Sequence, residues 1–171
     1  MIHIISGNGK GKTSAAAGLA LRAAGAGMRV IFFQFLKDGS STEIGVLRSV
    51  KGITVSCYEE CRKFLWEMDE GEKRAVTESR DRMLKEAGEL ITGGGADMVV
   101  LDEFFAAYNT GTVDKALAEE IVLSCPDRVE LVLTGRDPAE VFCNAADYHS
   151  EILSVRHPYD KGISARKGIE F

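Results

Sequence analysis

Seven residues near the N-terminus, Gly7-Asn8-Gly9-Lys10-Gly11-Lys12-Thr13, combine three glycines, two lysines and a hydroxyl. That mixture suits the capture of a polyanion. Glycines let consecutive backbone N–H groups turn toward one anion without a Cβ in the way. Lys12 offers a neutralising charge, and the Thr13 hydroxyl is a hard oxygen donor for Mg²⁺. A second chemical group stands about ninety residues later, where Asp97-Met-Val-Val-Leu-Asp102-Glu103 runs from apolar residues into two carboxylates. An acid so placed holds Mg²⁺ directly or through water in phosphate-handling proteins. A third is Arg136, just after the apolar run Val129–Thr134; it is open to two readings, an anion contact or a salt bridge to a neighbouring acid.

These groups must be brought together by regular elements. Ile2-His3-Ile4-Ile5 reads as a strand that stops in the glycine loop, and an alanine-rich helix from Lys12 to about Ala24 follows at once. Strand, loop and helix in this register are the layout of a phosphate-binding P-loop, with the helix N-terminus adding unpaired N–H groups. The spacing departs from G-x-x-x-x-G-K-[ST], because Ser6 stands where the first glycine belongs. A dinucleotide reading of G-x-G-x-x-G from Gly7 fails, since Lys12 occupies the third glycine position.

Further strands are expected at Arg29–Phe35, Ile53–Cys57, Asp97–Glu103, Val129–Thr134 and Tyr148–Val155, the last near a sheet edge. Helices are expected from Asp69 to about Thr92, from Thr112 to Ser124 (capped by Thr112 or Asp114) and from Ala139 to Ala145. The long helix carries Val76, Met83, Leu84, Ala87, Leu90 and Ile91 on one stripe and a charged, solvated face opposite. Alternation of strands and helices predicts a single α/β domain over residues 1–171, with a mainly parallel sheet and helices on both faces. Ligands of such sheets bind at the carboxyl ends of the strands, where all three chemical groups fall. Lys37 and Glu43, in and after a polar loop at one such end, read either as site residues or as solvated charges. Phe64 and Trp66 read as core or as an aromatic wall beside a flat ligand. The tail from Arg156 onward has a glycine turn and no amphipathic period, and is expected to fold back beside the site.

Composition narrows the class. The chain is 45% hydrophobic with a net charge of −5, acids and bases interspersed, which argues against a general nucleic-acid binder. Apolar runs are too short to span a membrane, and a first strand at the very N-terminus leaves no room for a leader, so a cytoplasmic protein is expected. Cys57, Cys61, Cys125 and Cys143 read as free thiols, because the C-x₃-C pair has no second half to complete a zinc site. The three histidines are scattered, and His3 reads as structural.

Six blocks occur in order: Gly7-Asn-Gly-Lys-Gly-Lys-Thr13, Gln34-Phe-Leu-Lys37, Val100-Leu-Asp-Glu103, Leu133-Thr-Gly-Arg136, Arg156-His-Pro-Tyr159 and Gly168-Ile-Glu-Phe171. Together they resemble the P-loop type of ATP:corrinoid adenosyltransferase over nearly the whole chain. The resemblance implies a RecA-like fold and transfer of the 5′-deoxyadenosyl group of ATP to the Co(I) of a reduced corrinoid, with release of inorganic triphosphate. No protein nucleophile is needed, because cobalt is the nucleophile; Lys12 supports charge on the leaving triphosphate. The resemblance places ATP on Gly7, Asn8, Gly9, Lys10, Gly11, Lys12, Thr13, Ser14 and Arg136, Mg²⁺ on Thr13, Asp102 and Glu103, and the corrinoid against Phe64 and Trp66. It further implies a homodimer and a reducing flavoprotein as electron donor. After Trp66 the family's Thr-Gln-Asn/Asp-Arg-like run is replaced here by Glu67-Met68-Asp69-Glu70. Two other classes compete: a P-loop ATPase or kinase acting on the γ-phosphate, and a non-enzymatic module that binds ATP or a corrinoid.

Overall fold

The computed structural model describes residues 1–36, 41–57 and 67–170. Six strands form one sheet: β1 (Ile2–Ser6), β2 (Val30–Gln34), β3 (Ile53–Cys57), β4 (Met98–Asp102), β5 (Glu130–Thr134) and β6 (Tyr148–Glu151). The helices are α1 (Lys12–Gly25), α2 (Thr42–Ser49), α3 (Glu70–Gly93), α4 (Phe104–Asn109), α5 (Lys115–Leu123) and α6 (Glu140–Ala145). Strand order is β3-β2-β4-β5-β1-β6, and every pairing is parallel. The sheet is thus wholly rather than mainly parallel.

The period-2 pattern of the strands splits the core in two. Ile4, Phe33, Val99, Leu101, Leu131 and Leu133 face α3, α4, α5 and α6, whereas Val30, Phe32, Met98, Val100 and Val132 face α1 and α2. Alanines 16, 17, 20 and 23 are buried on α1, so its backbone lies close across β1, β2, β4 and β5. On the opposite face an aromatic cluster forms: the Phe142 ring lies 5.4, 5.9 and 5.0 Å from those of Phe104, Phe105 and Tyr108.

Caps fix the helix ends. Asp69 and Glu72 form a reciprocal capping box at the start of α3, and Gly94 closes that helix in the left-handed region. Asp114, not Thr112, caps α5, accepting from the Leu117 N–H at 3.0 Å. Thr112 is buried and takes a hydrogen bond from Arg80 on α3. Arg80 therefore sits among the buried residues of a helix whose charges were expected on the solvated face. On that face Lys73 pairs with Glu70 at 2.7 Å.

Two helices were not anticipated. The segment after the polar loop is α2, held by burial of Ile44 and Leu47, and the residues after β4 form α4. The expected strand Tyr148–Val155 stops as a strand at Glu151, after which the chain leaves for the glycine loop. His3 is structural, as expected: Nε2 lies 2.6 Å from Glu130 Oε2 and its ring stacks on Tyr148 at 4.6 Å. Cys125 and Cys143 are free thiols, the Cys57 Sγ accepts from Arg48 Nη2 at 3.0 Å, and Cys61 lies outside the described residues.

Candidate functional site

The glycine loop connects β1 to α1 at the carboxyl edge of the sheet. Gly11 is the N-cap of α1 at φ 116°, and no side chain caps the helix there. The first helical N–H groups are thereby left to an incoming anion, reinforced by the helix dipole.

Gly7 and Gly9 have a different reason to be glycine. The chain leaving β6 runs across the loop: Ile152 N–H donates to Ser6 O at 2.8 Å, Gly9 N–H to Ile152 O at 2.8 Å, and Ser154 N–H to Asn8 Oδ1 at 2.9 Å. A Cβ on Gly7 would lie 2.3 Å from Ile152 O, and one on Gly9 would lie 2.8 Å from it. Both glycines permit this strap to approach. Ser6, in the place of the usual first glycine, is buried and hydrogen-bonded to His149 Nε2 at 2.8 Å.

A cavity of about 670 Å³ opens above the loop. Asn8 through Ser14 line it, as do Glu103 and Arg136; Gly7 does not. From α2 come Thr42, Glu43 and Val46; from the tail come His157, Ala165 and residues 168–170. The tail therefore does fold back onto the site, and Glu43 belongs to it. Lys37, Phe64 and Trp66 lie outside the described residues.

Lys12 is buried and its Nζ donates to Gly9 O at 3.0 Å. Burial pushes its pKa below the usual lysine value; Glu103 pulls it back, Arg136 pushes it down again, and Asp102 opposes that. Arg136 is thus close enough to Lys12 for the two positive charges to repel. It makes no ion pair among the described residues, which favours the anion-contact reading over the salt bridge. Its turn is held by Asn109 Nδ2, which donates to Arg136 O at 3.3 Å and Asp137 O at 3.0 Å.

The two acids occupy different environments. Asp102 ends β4 with no exposed surface. Its Oδ2 accepts from Thr13 Oγ1 and Gln34 Nε2, each at 3.2 Å, and its Oδ1 from Thr134 Oγ1 at 2.7 Å. Glu103 has left the strand; it is the N-cap of α4 in the left-handed region at φ 58° and lines the cavity. Thr13, Asp102 and Glu103 therefore converge from α1, β4 and the β4–α4 turn. A hydroxyl and two carboxylates are the hard oxygens that Mg²⁺ prefers. Among the described residues no three His, Cys, Asp or Glu side chains form a metal-holding group.

Sequence reasoning missed Gln34, Thr134 and His157 as parts of the site. Gln34 and Thr134 each end a strand flanking β4, a position that in hindsight marks them. His157 caps the tail turn at Pro158–Lys161, accepting from Tyr159 N–H at its Nδ1.

The whole chain, residues 1–171, matches the family described as ATP:corrinoid adenosyltransferase BtuR/CobO/CobP. A corrinoid adenosyltransferase of Pseudomonas aeruginosa is 34% identical over 173 residues, spanning 100% of this chain and 82% of its own length. One from Escherichia coli K12 is 31% identical, with 100% of this chain and 85% of the relative covered. Corrinoid adenosyltransferase CobA of Salmonella typhimurium is 33% identical over 181 residues, covering 100% and 85%. In fold, the chain is similar to ATPases 2 and 3 of EssC from Geobacillus thermodenitrificans, with a TM-score of 0.52 and 13% identity, over 99% of this chain and 36% of that one.

Proposed function

The chain belongs to the ATP:corrinoid adenosyltransferase family, and from that premise we propose how its own residues carry the reaction. The reaction is transfer of the 5′-deoxyadenosyl group of ATP to the cobalt of a reduced corrinoid. The cobalt electron pair forms the Co–C5′ bond, the C5′–O5′ bond breaks, and inorganic triphosphate leaves with the bonding pair. An ATPase or kinase would act at the γ-phosphate instead, and nothing in the relatives favours that chemistry.

The observation that carries the assignment of roles is the convergence of an uncapped helix N-terminus, Lys12 and Arg136 on one cavity. In our reading the N–H groups from Gly11 to Ser14 and the two cations grip the triphosphate and stabilise the charge that gathers on it as it departs. Lys12 then exchanges its bond to Gly9 O for phosphate oxygen. Fixing the triphosphate also fixes C5′ for attack along one line. Thr13, Asp102 and Glu103 would hold Mg²⁺, which when bound supplies further charge neutralisation on the triphosphate. The donor chemistry fits, since a hydroxyl and two carboxylates are hard oxygen donors. We assign Phe64 and Trp66 to the corrinoid on sequence resemblance, and by the same family reading a reduced flavoprotein as electron donor, a homodimer and a cytoplasmic location. No helix of the described residues is long and apolar enough to cross a membrane.

An anaerobic assay with ATP, Mg²⁺ and chemically reduced cob(I)alamin tests the reading. Loss of the Co(I) absorbance should accompany a light-sensitive alkylcobalamin and one equivalent of inorganic triphosphate, and Lys12→Ala should abolish both. Orthophosphate formed without corrinoid would overturn it.

A further inference from the structure

We propose that Thr134 is the positioning residue of the carboxylate pair, fixing Asp102 and Glu103 together so that the site can take a divalent cation. The inference rests on the reading of Thr13, Asp102 and Glu103 as cation donors.

The geometry is that of one hydroxyl with two bonds of opposite sense. Thr134 Oγ1 donates to Asp102 Oδ1 at 2.7 Å and accepts from the Glu103 backbone N–H at 2.9 Å. A hydroxyl has one donor and two acceptor positions, so both bonds are made at once by the same oxygen. Thr134 has no exposed surface, and neither has Asp102. No bulk water competes for the bond between them, and the bond from the Glu103 N–H is partly buried.

The location explains why a side chain is needed here. The β4–β5 ladder runs in register through Leu101↔Leu133. Two residues later the two chains part: Glu103 turns left-handed into α4, and Gly135, at φ 144°, is packed against Phe105. The Thr134 hydroxyl takes over where the backbone ladder ends. It holds the Glu103 N–H, a donor that α4 itself cannot satisfy, and so pins a glutamate in a backbone region that L-residues rarely adopt. The same oxygen fixes which way the Asp102 carboxylate is turned. With Oδ1 tied to Thr134, Oδ2 is presented to Thr13 and Gln34. Rotation of the Asp102 carboxylate, or of the peptide that sets the Glu103 backbone, would have to break a bond at Thr134.

Valine has the shape of threonine and neither bond. In Thr134→Val, Asp102 Oδ1 loses its donor and Glu103 N–H its acceptor, while β5 keeps its β-branched residue. Outer-shell partners of this kind typically change metal affinity by 10–100-fold.

The test is equilibrium binding of ATP by titration calorimetry, with Mg²⁺ and with EDTA, on wild type, Thr134→Val and Thr134→Ser. We expect wild type to bind ATP more tightly with Mg²⁺, Thr134→Val to lose at least tenfold of that gain while matching wild type within twofold in EDTA, and Thr134→Ser to restore it. A wild type with no Mg²⁺ gain would sink the cation reading itself. A gain that survives Thr134→Val would overturn the positioning role alone, as would an equal loss with and without the cation. Should Thr134→Val fail to fold, Thr134→Ala takes its place; if neither folds while Thr134→Ser does, Thr134 serves the fold and the proposal fails.

Discussion

Gly9→Ala separates two reasons for a glycine in a phosphate loop. If Gly9 is there only so that phosphate can approach, the unliganded protein should not notice a methyl group. The strap from β6 says otherwise. The added Cβ would lie 2.8 Å from both Ile152 O and Leu153 C and 2.9 Å from Ile152 Cγ2. That is about 0.6 Å inside ordinary van der Waals contact, and two of the three atoms are backbone, which cannot swing away. Retreat of the strap also stretches the 2.8 Å bond from Gly9 N–H to Ile152 O. Overpacking of this kind costs about 1–3 kcal/mol and the weakened hydrogen bond about 0.5–1.5. The expected loss is about 2–4 kcal/mol, or roughly 8 °C in Tm for a chain of this size. Gly18→Ala is the matched control. It sits within α1 with nothing within 4 Å of the new Cβ, so it should gain about 0.5–1 kcal/mol from helix propensity. Thermal unfolding without ligand, followed by circular dichroism, reads both. If Gly9→Ala melts within 2 °C of wild type (a margin of about 1 kcal/mol), the strap argument is wrong and the residue serves anion approach alone.

Three further outcomes follow from the same structure. Arg29 grips Asp97 through Nε, Nη2 and backbone N–H, holding the Asp97 pKa down at about 2 from 3.8. A depressed carboxylate stabilises above its unfolded pKa and loses that contribution as pH falls through its folded one; the Tm gap between wild type and Asp97→Asn should therefore be full at pH 5 and close toward pH 2 in an acid titration. Lys12 carries a pKa lowered chiefly by burial, so its charged form weighs against the unliganded fold, and stability should rise with pH between the lowered value and 10.5. Lys12→Met should melt no lower than wild type without ATP yet lose ATP binding in calorimetry; a lower Tm would refute the burial argument. Phe142 is fully buried among Phe104, Phe105 and Tyr108, and Phe142→Ala should cost about 3–5 kcal/mol in urea unfolding.

What the sequence disclosed depended on whether the signal was local. The period-2 strands, the α3 stripe and the strand–loop–helix layout around the glycines are written in adjacent residues, and they appear where expected. α2 is not so written. Thr42-Glu-Ile-Gly-Val-Leu-Arg-Ser49 has a central glycine and the β-branched Thr42, Ile44 and Val46, and it is helical because Ile44 and Leu47 find the α1 side of the sheet. α4 begins on a left-handed glutamate and is crowded with aromatics, a composition that favours strand locally; burial of Phe104 and Phe105 decides the matter. The motif signal was likewise correct for a partly mistaken reason. Glycine at positions 7 and 9 pointed to a phosphate loop, yet those two glycines face Ile152 and Leu153, far away in sequence, a contact that no spacing rule contains.

That contact ties the site together from outside it. The strap that rests on Gly7 and Gly9 continues into the tail, whose His157, Ile169 and Glu170 form the far wall of the cavity. Glu170 is in turn anchored by Arg166, through two side-chain contacts and the backbone N–H. The loop is hydrogen-bonded to the strap that leaves β6, and the strap runs on along the chain into the tail, although β6 itself is exposed at the sheet edge. The other half of the site is built on the opposite principle: Asp102 sits on a central strand, flanked by β2 and β5, and takes donors from the ends of both neighbours and from α1. The acids are therefore positioned by the rigid middle of the sheet and the phosphate loop by its exposed margin. Hydrogen exchange should accordingly find the Gly9 and Ile152 amides opening well before those of β4, and ATP, which would bridge the two halves, should slow the first pair far more than the second. Equal protection of both before ATP is added would refute this division.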